Sequence, residues 1–299
     1  MEGKIRKIAV VGTGTMGAQI AVQAARFDYE VSAYDSEEGS FNRALQNIRD
    51  FIKSSGRKTI FPMEDWEKGA DRVMISLDLG EALQGADLVI EAIPEDLALK
   101  RKMFEKIDSI APQKAILATN SSSIPVSRIE DVTSRPEKCL NLHFYLPTIV
   151  LNIVDVMGGT LTTPETIEDG KAWVRSIGCI PLTVKKEILG FCFNRIWRVV
   201  KRETLYMWAE GFVDFRDIDR AWMIFNGSPL GPFGMMDAVG LDVIYNIEMV
   251  YYNESKDPKD HPPEGLKAMV ERKELGLKTG KGFYTYPDPE FGLPEFLKG

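Results

Sequence analysis

The sequence predicts an α/β protein: a doubly wound, mostly parallel sheet in residues 1–187, followed by an all-helical C-terminal segment over 188–299. Three observations carry this. Short apolar, strand-like runs alternate with helical patterns as far as Val184, as βαβ units require. From Gly190 onward only helical patterns recur. The first 35 residues, finally, read as strand, glycine turn, helix, strand and acid. Lys7-Ile8-Ala9-Val10-Val11 is an apolar run that passes directly into Gly12-Thr13-Gly14-Thr15-Met16-Gly17. Ala18, Ile20, Ala21, Ala24, Ala25 and Phe27 then recur at helical spacing, and a second strand over 29–34 ends on Asp35.

That order is the dinucleotide-binding unit of Rossmann-type sheets, and its physics uses each glycine. Gly12 allows the tight turn, Gly14 lets backbone touch a pyrophosphate, and Gly17 lets helix and strand pack closely. The helix start at Thr15 and Met16 presents unpaired N–H groups and a partial positive charge to phosphate. Asp35 selects the cofactor, because a carboxylate there accepts from a free ribose 2′-hydroxyl and repels a 2′-phosphate. Glu37 and Glu38 add to the repulsion, so NAD is expected over NADP.

With 299 residues, two domains are expected. A net charge of −7 and a pI near 5.2 argue against nucleic acid or an anionic membrane as partner. No apolar run reaches transmembrane length, and the start Met-Glu-Gly-Lys-Ile-Arg lacks the apolar core of a signal peptide, so a cytoplasmic location is expected. Cys139, Cys179 and Cys192 lack metal or disulfide spacing and read as buried thiols, with no metal site. Only His143 and His261 can serve histidine chemistry, and His261 sits in a Pro- and Asp-rich loop.

After Asp35, Phe41, Leu45, Ile48, Phe51 and Ile52 share a helical face that Ser54-Ser55-Gly56 ends, and a second short helix follows over 62–68. This pair is expected to project from the sheet edge. Arg43, Arg49, Lys53, Arg57, Lys58 and Lys68 gather on it, either as a solvated face or as a phosphate-contacting patch. Strands follow at 73–75 and 86–93, joined by a short helix at 79–83. Glu95 and Lys100 come just past the second, at the carboxyl edge where ligands bind in open sheets. A helix over 97–110 leads into strand 115–119 and then Asn120-Ser121-Ser122-Ser123, a helix cap or a site. Strand 139–144 carries His143 at or past its end; strand 152–157 contains Asp155. Thr162 or Thr163 caps a helix over 164–177, and 180–184 is the last strand.

The helical segment reads as helices over 191–211, 215–225, 234–252 and 264–274. Its Trp197, Tyr206, Trp208, Trp222 and Met235-Met236 supply either its own core or a homodimer face.

Taken together, the chain resembles the 3-hydroxyacyl-CoA dehydrogenase family along nearly its whole length. The matching residues are the glycine turn, Asp35, Glu91-Ala-Ile-Pro-Glu95, Asn120 to Ser123, His143-Phe144 with Pro147, the acid at Asp155, Gly190-Phe191 with Asn194-Arg195, Gly231-Pro232-Phe233 with Asp237, Gly240-Leu241-Asp242, and Gly280-Lys281-Gly282-Phe283-Tyr284. The resemblance implies an NAD domain and a helical dimerisation domain. It implies that His143 is a general base paired with Asp155, and that Ser122 and Asn194 hydrogen-bond the reacting oxygen. It further implies that Glu95, Lys100 and Asn120 lie near NAD. The chemistry agrees: a carbinol that gives up hydride must also lose its hydroxyl proton, and imidazole titrates near ~6.5.

Two departures from the family pattern matter. Asp155 replaces the usual Glu, one methylene longer, and Leu146 stands where His-Phe-Phe-Asn-Pro carries Asn. The substrate is therefore a 3-hydroxyacyl-CoA or, on the same scaffold, a hydroxy acid without coenzyme A such as a sugar acid, carnitine or a diketo ester. A non-catalytic NAD-binding protein, as among lens relatives, is a further reading. A lysine-dependent β-hydroxyacid dehydrogenase has no support, since the first turns of the long helix offer Asn194 and Arg195 and no lysine.

Overall fold

The computed structural model describes residues 5–55 and 58–299. The polar N-terminal residues, the helix stop at Gly56 and the basic Arg57 lie outside the described residues. Among the described residues no helix is long and apolar enough to cross a membrane. The chain divides into two compact units, one reaching to Phe193 and the other covering Asn194–Gly299.

The first unit runs β1 (Lys7–Val11), α1 (Thr15–Ala25), β2 (Glu30–Tyr34), α2 (Ser40–Ser55), α3 (Met63–Ala70), β3 (Met74–Ser76), α4 (Leu79–Leu83), β4 (Leu88–Glu91), α5 (Leu97–Ile110), β5 (Ile116–Thr119), β6 (Cys139–Phe144), β7 (Ile153–Gly158), α6 (Pro164–Ser176) and β8 (Ile180–Val184). Its eight strands form one sheet in the order β3-β2-β1-β4-β5-β6-β7-β8. The first six are parallel, β7 runs antiparallel to β6, and β8 is parallel to β7. The sheet is thus doubly wound and mostly parallel, as expected. Side chains alternate across it: Ile8 and Val10 join a core on the face of α1 and α6, while Ala9 and Val11 join a second core on the face of α5. The strand order reverses between β1 and β4, the place where open sheets leave a ligand crevice at their carboxyl edge.

The expected projection of α2 and α3 is corrected. Phe41, Leu45, Ile48 and Trp66 are buried in the same core as Ile20 and Val22 of α1, because their apolar faces must leave water. The Arg26 guanidinium stacks 3.4 Å above the Phe61 ring and helps hold the pair down. Three of the six basic residues there are ion-paired with neighbouring acids: Arg49 with Glu67, Arg43 with Glu37 and Lys68 with Glu64. Thr163 is the cap of α6, its hydroxyl accepting from the Thr166 N–H.

The second unit is all-helical: α7 (Phe193–Ala209), which begins one residue before the division, α8 (Phe215–Asn226), α9 (Pro232–Val239), α10 (Leu241–Ser255) and α11 (Glu264–Glu271). The single helix expected over 234–252 is in fact two, because the backbone at Gly240 takes φ 105° and breaks the ladder. Phe233, Met236, Leu241, Ile244, Leu266, Phe283 and Tyr284 make its core, with Trp197 and Trp208 packed against it. Asp219 and Asp237 are fully buried there. Asp219 accepts the Phe233 and Gly234 N–H groups at the start of α9 and the Tyr284 hydroxyl. Burial nevertheless pushes its carboxyl up to about 6. Cys139 and Cys179 are buried, and burial pushes their thiols up to about 12 and about 11. Cys192 is exposed, against expectation: it lies in the connection ahead of α7, where no core forms.

Candidate active site

The glycine turn meets the geometric demands of a dinucleotide. A Cβ on Gly17 would lie 1.7 Å from the Gly12 carbonyl oxygen, and one on Gly12 would lie 2.8 Å from the Ala92 carbonyl oxygen. The turn is thus closed tightly against β4, whereas a Cβ on Gly14 would meet nothing within 4 Å. Open space above Gly14 is what a pyrophosphate would fill. Gly14 is also the cap residue of α1, and no side chain caps the helix, so its first N–H groups remain available to an anion.

Asp35 follows β2 directly. Its carboxylate accepts from the Thr13 N–H at 2.7 Å, the Thr13 hydroxyl at 2.9 Å and the Glu37 N–H at 3.0 Å. Partial burial pushes this carboxyl up, but those hydrogen bonds outweigh it and hold it below its ordinary value. The acid is therefore charged and fixed beside the turn.

At the ends of β4 and β5 a buried network forms. Glu91, wholly buried, accepts from the Lys100 ammonium at 2.7 Å, the Thr119 hydroxyl at 2.7 Å and the Ile93 N–H at 2.8 Å. Lys100 is itself 1% exposed, and its ammonium stands 3.4 Å from Glu95. Lys100 thus lies behind Glu95 rather than at the surface. Ser121 and Ser123 donate to Glu95, while Ser122 between them is exposed and has no hydrogen-bond partner among the described residues. Desolvation raises the Glu95 carboxyl, and the serine hydrogen bonds with the Lys100 charge more than offset it, leaving it lowered. Asn120 has a different role. Its Oδ1 accepts the Phe144 N–H at 2.9 Å and ties the end of β6 to the loop after β5.

His143 sits inside β6 rather than beyond it, directly opposite Asp155 in the antiparallel register with β7. Directly opposed residues on one sheet face are neighbours, which is why a separation of twelve residues brings them together. Nδ1 lies 3.0 Å from Asp155 Oδ2. A carboxylate only accepts, so the proton sits on Nδ1 and Nε2 is left as an acceptor. No described residue engages Nε2 in a hydrogen bond. The ring is 5% exposed, stacked on Phe191 at 4.9 Å and edge-on to Tyr145 at 4.7 Å. Sequence reading did not single out Tyr145 or Thr119, and Glu91 and Phe191 entered only as matched positions of the resemblance, without a role. An acid at the end of an apolar strand was the available signal for Glu91, and two-residue spacing from His143 was that for Tyr145. Phe191 had none. Asn194 belongs to the second unit, in the first turn of α7.

A doubly wound sheet with this turn, and with an imidazole held on a carboxylate near the carboxyl edge, defines an NAD-binding dehydrogenase. Comparison with known proteins agrees. The family model described as "3-hydroxyacyl-CoA dehydrogenase, NAD binding domain" matches residues 7–188, and that described as "3-hydroxyacyl-CoA dehydrogenase, C-terminal domain" matches 190–286. The chain is 33% identical over 95% of its length to a probable 3-hydroxybutyryl-CoA dehydrogenase of Bacillus subtilis, covering 99% of that protein. It is 31% identical over 94% of its length to the 5-formyl-3-hydroxy-2-methylpyridine 4-carboxylate 5-dehydrogenase of Mesorhizobium japonicum, covering 91% of it. A solved diketoreductase structure, described as acting on dicarbonyl compounds, superposes with a TM-score of 0.83 at 35% identity, covering 96% of this chain and all of that one. The chain belongs to the 3-hydroxyacyl-CoA dehydrogenase family and is an NAD-dependent oxidoreductase.

Proposed function

We propose that the protein transfers a hydride between NAD(H) and C3 of a 3-hydroxyacyl-CoA of the 3-hydroxybutyryl type, with His143 as general base and acid. The observation that carries this is the buried Asp155 carboxylate on Nδ1, which leaves Nε2 free to take the hydroxyl proton. Asp155 keeps the tautomer fixed and stabilises the imidazolium that forms; in the reductive direction Nε2–H returns the proton to the developing alkoxide. The family resemblance assigns Ser122 and Asn194 the hydrogen bonds to that oxygen, which would stabilise its developing charge. Gly12, Gly14, Thr15, Met16 and Gly17 hold the pyrophosphate, Asp35 the ribose, and Glu95, backed by Lys100, and Asn120 line the nicotinamide side. When bound, NAD supplies the two-electron acceptor.

The coenzyme A thioester is supported by the family and by relatives named as 3-hydroxybutyryl-CoA dehydrogenases. A hydroxy or keto acid without coenzyme A is the second reading. It is favoured by Leu146, 47% exposed in place of the family Asn, and by the ion-paired basic residues of α2 and α3, which are less free to meet phosphates. Reduction of acetoacetyl-CoA, acetoacetate and a diketo ester by NADH, followed by absorbance, discriminates them. The thioester is expected to lead in kcat/KM by at least about 10-fold, on the order of the energy of one good site contact; the reverse ranking establishes the second reading.

We further propose a homodimer through the helical unit. Ile196, Val199 and Tyr206 of α7 are half-exposed at helical spacing, as are Val243, Ile247 and Val250 of α10. Two apolar stripes of this kind are costly to leave in water. Sedimentation at micromolar concentration should give a dimer of the 33.6 kDa chain; a compact monomer counts against it.

A further inference from the structure

Asp155 is held in an unusual way. Its Oδ2 takes two donors, His143 Nδ1 at 3.0 Å and the Tyr145 hydroxyl at 2.6 Å, while its Oδ1 is buried with no hydrogen-bond partner among the described residues. Both bonds therefore converge on one oxygen of a carboxylate that is wholly buried. A short carboxylate held by one donor alone can swing about its own stem, and the imidazole that depends on it swings as well. Tyr145 removes that freedom twice over. Its hydroxyl pins Oδ2, and its ring packs edge-on against His143 at 67°, opposite in role to Phe191, which stacks nearly parallel at 12°.

We propose that Tyr145 is a positioning residue for the reaction: it fixes the short Asp155 carboxylate and through it the His143 ring. This rests on the reading of His143 as base. Tyr145 is matched to Asp155 by length. With aspartate, the carboxylate stops where a hydroxyl can reach it; one more methylene would drive the carboxylate into the space that hydroxyl occupies. Misplacement of a reacting group by about 1 Å can cost on the order of 10²-fold in rate.

The test is a double-mutant cycle of Tyr145→Phe and Asp155→Glu, with kcat and KM measured alongside His143→Gln. Tyr145→Phe keeps the ring and removes only the hydroxyl, so NADH affinity should stay near wild type, while the melting temperature falls modestly through the lost hydrogen bond to a buried carboxylate. Its kcat should fall about 10-fold with KM changed less than twofold. Asp155→Glu alone should lose a similar factor through collision with the hydroxyl. The double variant should recover to within about threefold of wild type, since the vacated volume accepts the longer acid; contacting residues are where such non-additivity is expected. A Tyr145→Phe enzyme with wild-type kcat, or a double variant whose loss is the product of the two single losses, overturns the proposal. If His143→Gln turns over at the wild-type rate, the assignment of the base fails instead, so the two failures are distinguishable.

Discussion

Replacement of His143 by glutamine lowers kcat by about 10²- to 10⁴-fold, the range that a positioned general base supplies. The glutamine amide can still donate to Asp155, so the buried carboxylate is not stranded, yet it has no group able to take a proton at pH 7. His143→Ala should lose as much activity and also lower the melting temperature. It leaves a buried charge held by the Tyr145 hydroxyl without its imidazole partner, and an unpaired buried charge costs several kcal/mol. Turnover is read from NADH absorbance, and circular dichroism with NADH titration shows that fold and cofactor binding survive in the glutamine variant. A His143→Gln enzyme within threefold of wild type would remove the basis for acid–base catalysis here and leave a nucleotide binder.

The second large effect falls on the glycine turn, where two substitutions separate folding from ligand binding. Gly17→Ala places a methyl group 1.7 Å from the Gly12 carbonyl oxygen, deep inside any permissible contact, and the group it meets is backbone. The turn must open, which should raise the Kd for NADH by at least about 10²-fold and destabilise the first unit by more than the roughly 1–3 kcal/mol usual for overpacking. Gly14→Ala is the contrast. Its Cβ enters empty space, and the residue already has φ −64°, so the free protein should melt within about 2 °C of wild type, as expected for a change without strain. Its NADH affinity should nevertheless fall about 10-fold, because a methyl group in that space displaces a phosphate. Fluorescence titration of NADH with thermal melts reads both. Unchanged affinity in Gly14→Ala would show that no phosphate group lies above this residue.

Much of the candidate site was legible because its residues are close in sequence or tied to strand ends. The glycine turn and Asp35 fall within one βαβ unit whose geometry is local. Glu95 and Asn120 were found from their place just past β4 and β5, since loops at that edge face the crevice in any parallel sheet. What those groups touch was another matter. Lys100 carries the right charge at the right edge, yet its ammonium is buried against Glu91, a pairing across strand, loop and helix that no local spacing reveals. The serine run divided its labour, Ser121 and Ser123 on Glu95 and Ser122 outward, because successive side chains in an extended turn point apart. The placement of α2 and α3 on α1 likewise depended on which apolar face finds the larger buried partner.

Local pattern by itself determined the order of strands and helices, the dinucleotide turn, the change to helices after the last strand, and a single candidate base. Those properties follow from periodicity and from residues that neighbour one another along the chain. Only the tertiary structure decided that β7 runs against β6, and with it that Asp155 faces His143 across the pair. It decided too that Tyr145 shares the carboxylate oxygen and that Phe191, far along the chain, covers the ring. Register and long-range packing are set by which surfaces exclude water together, and that is a property of the folded chain rather than of any segment in it.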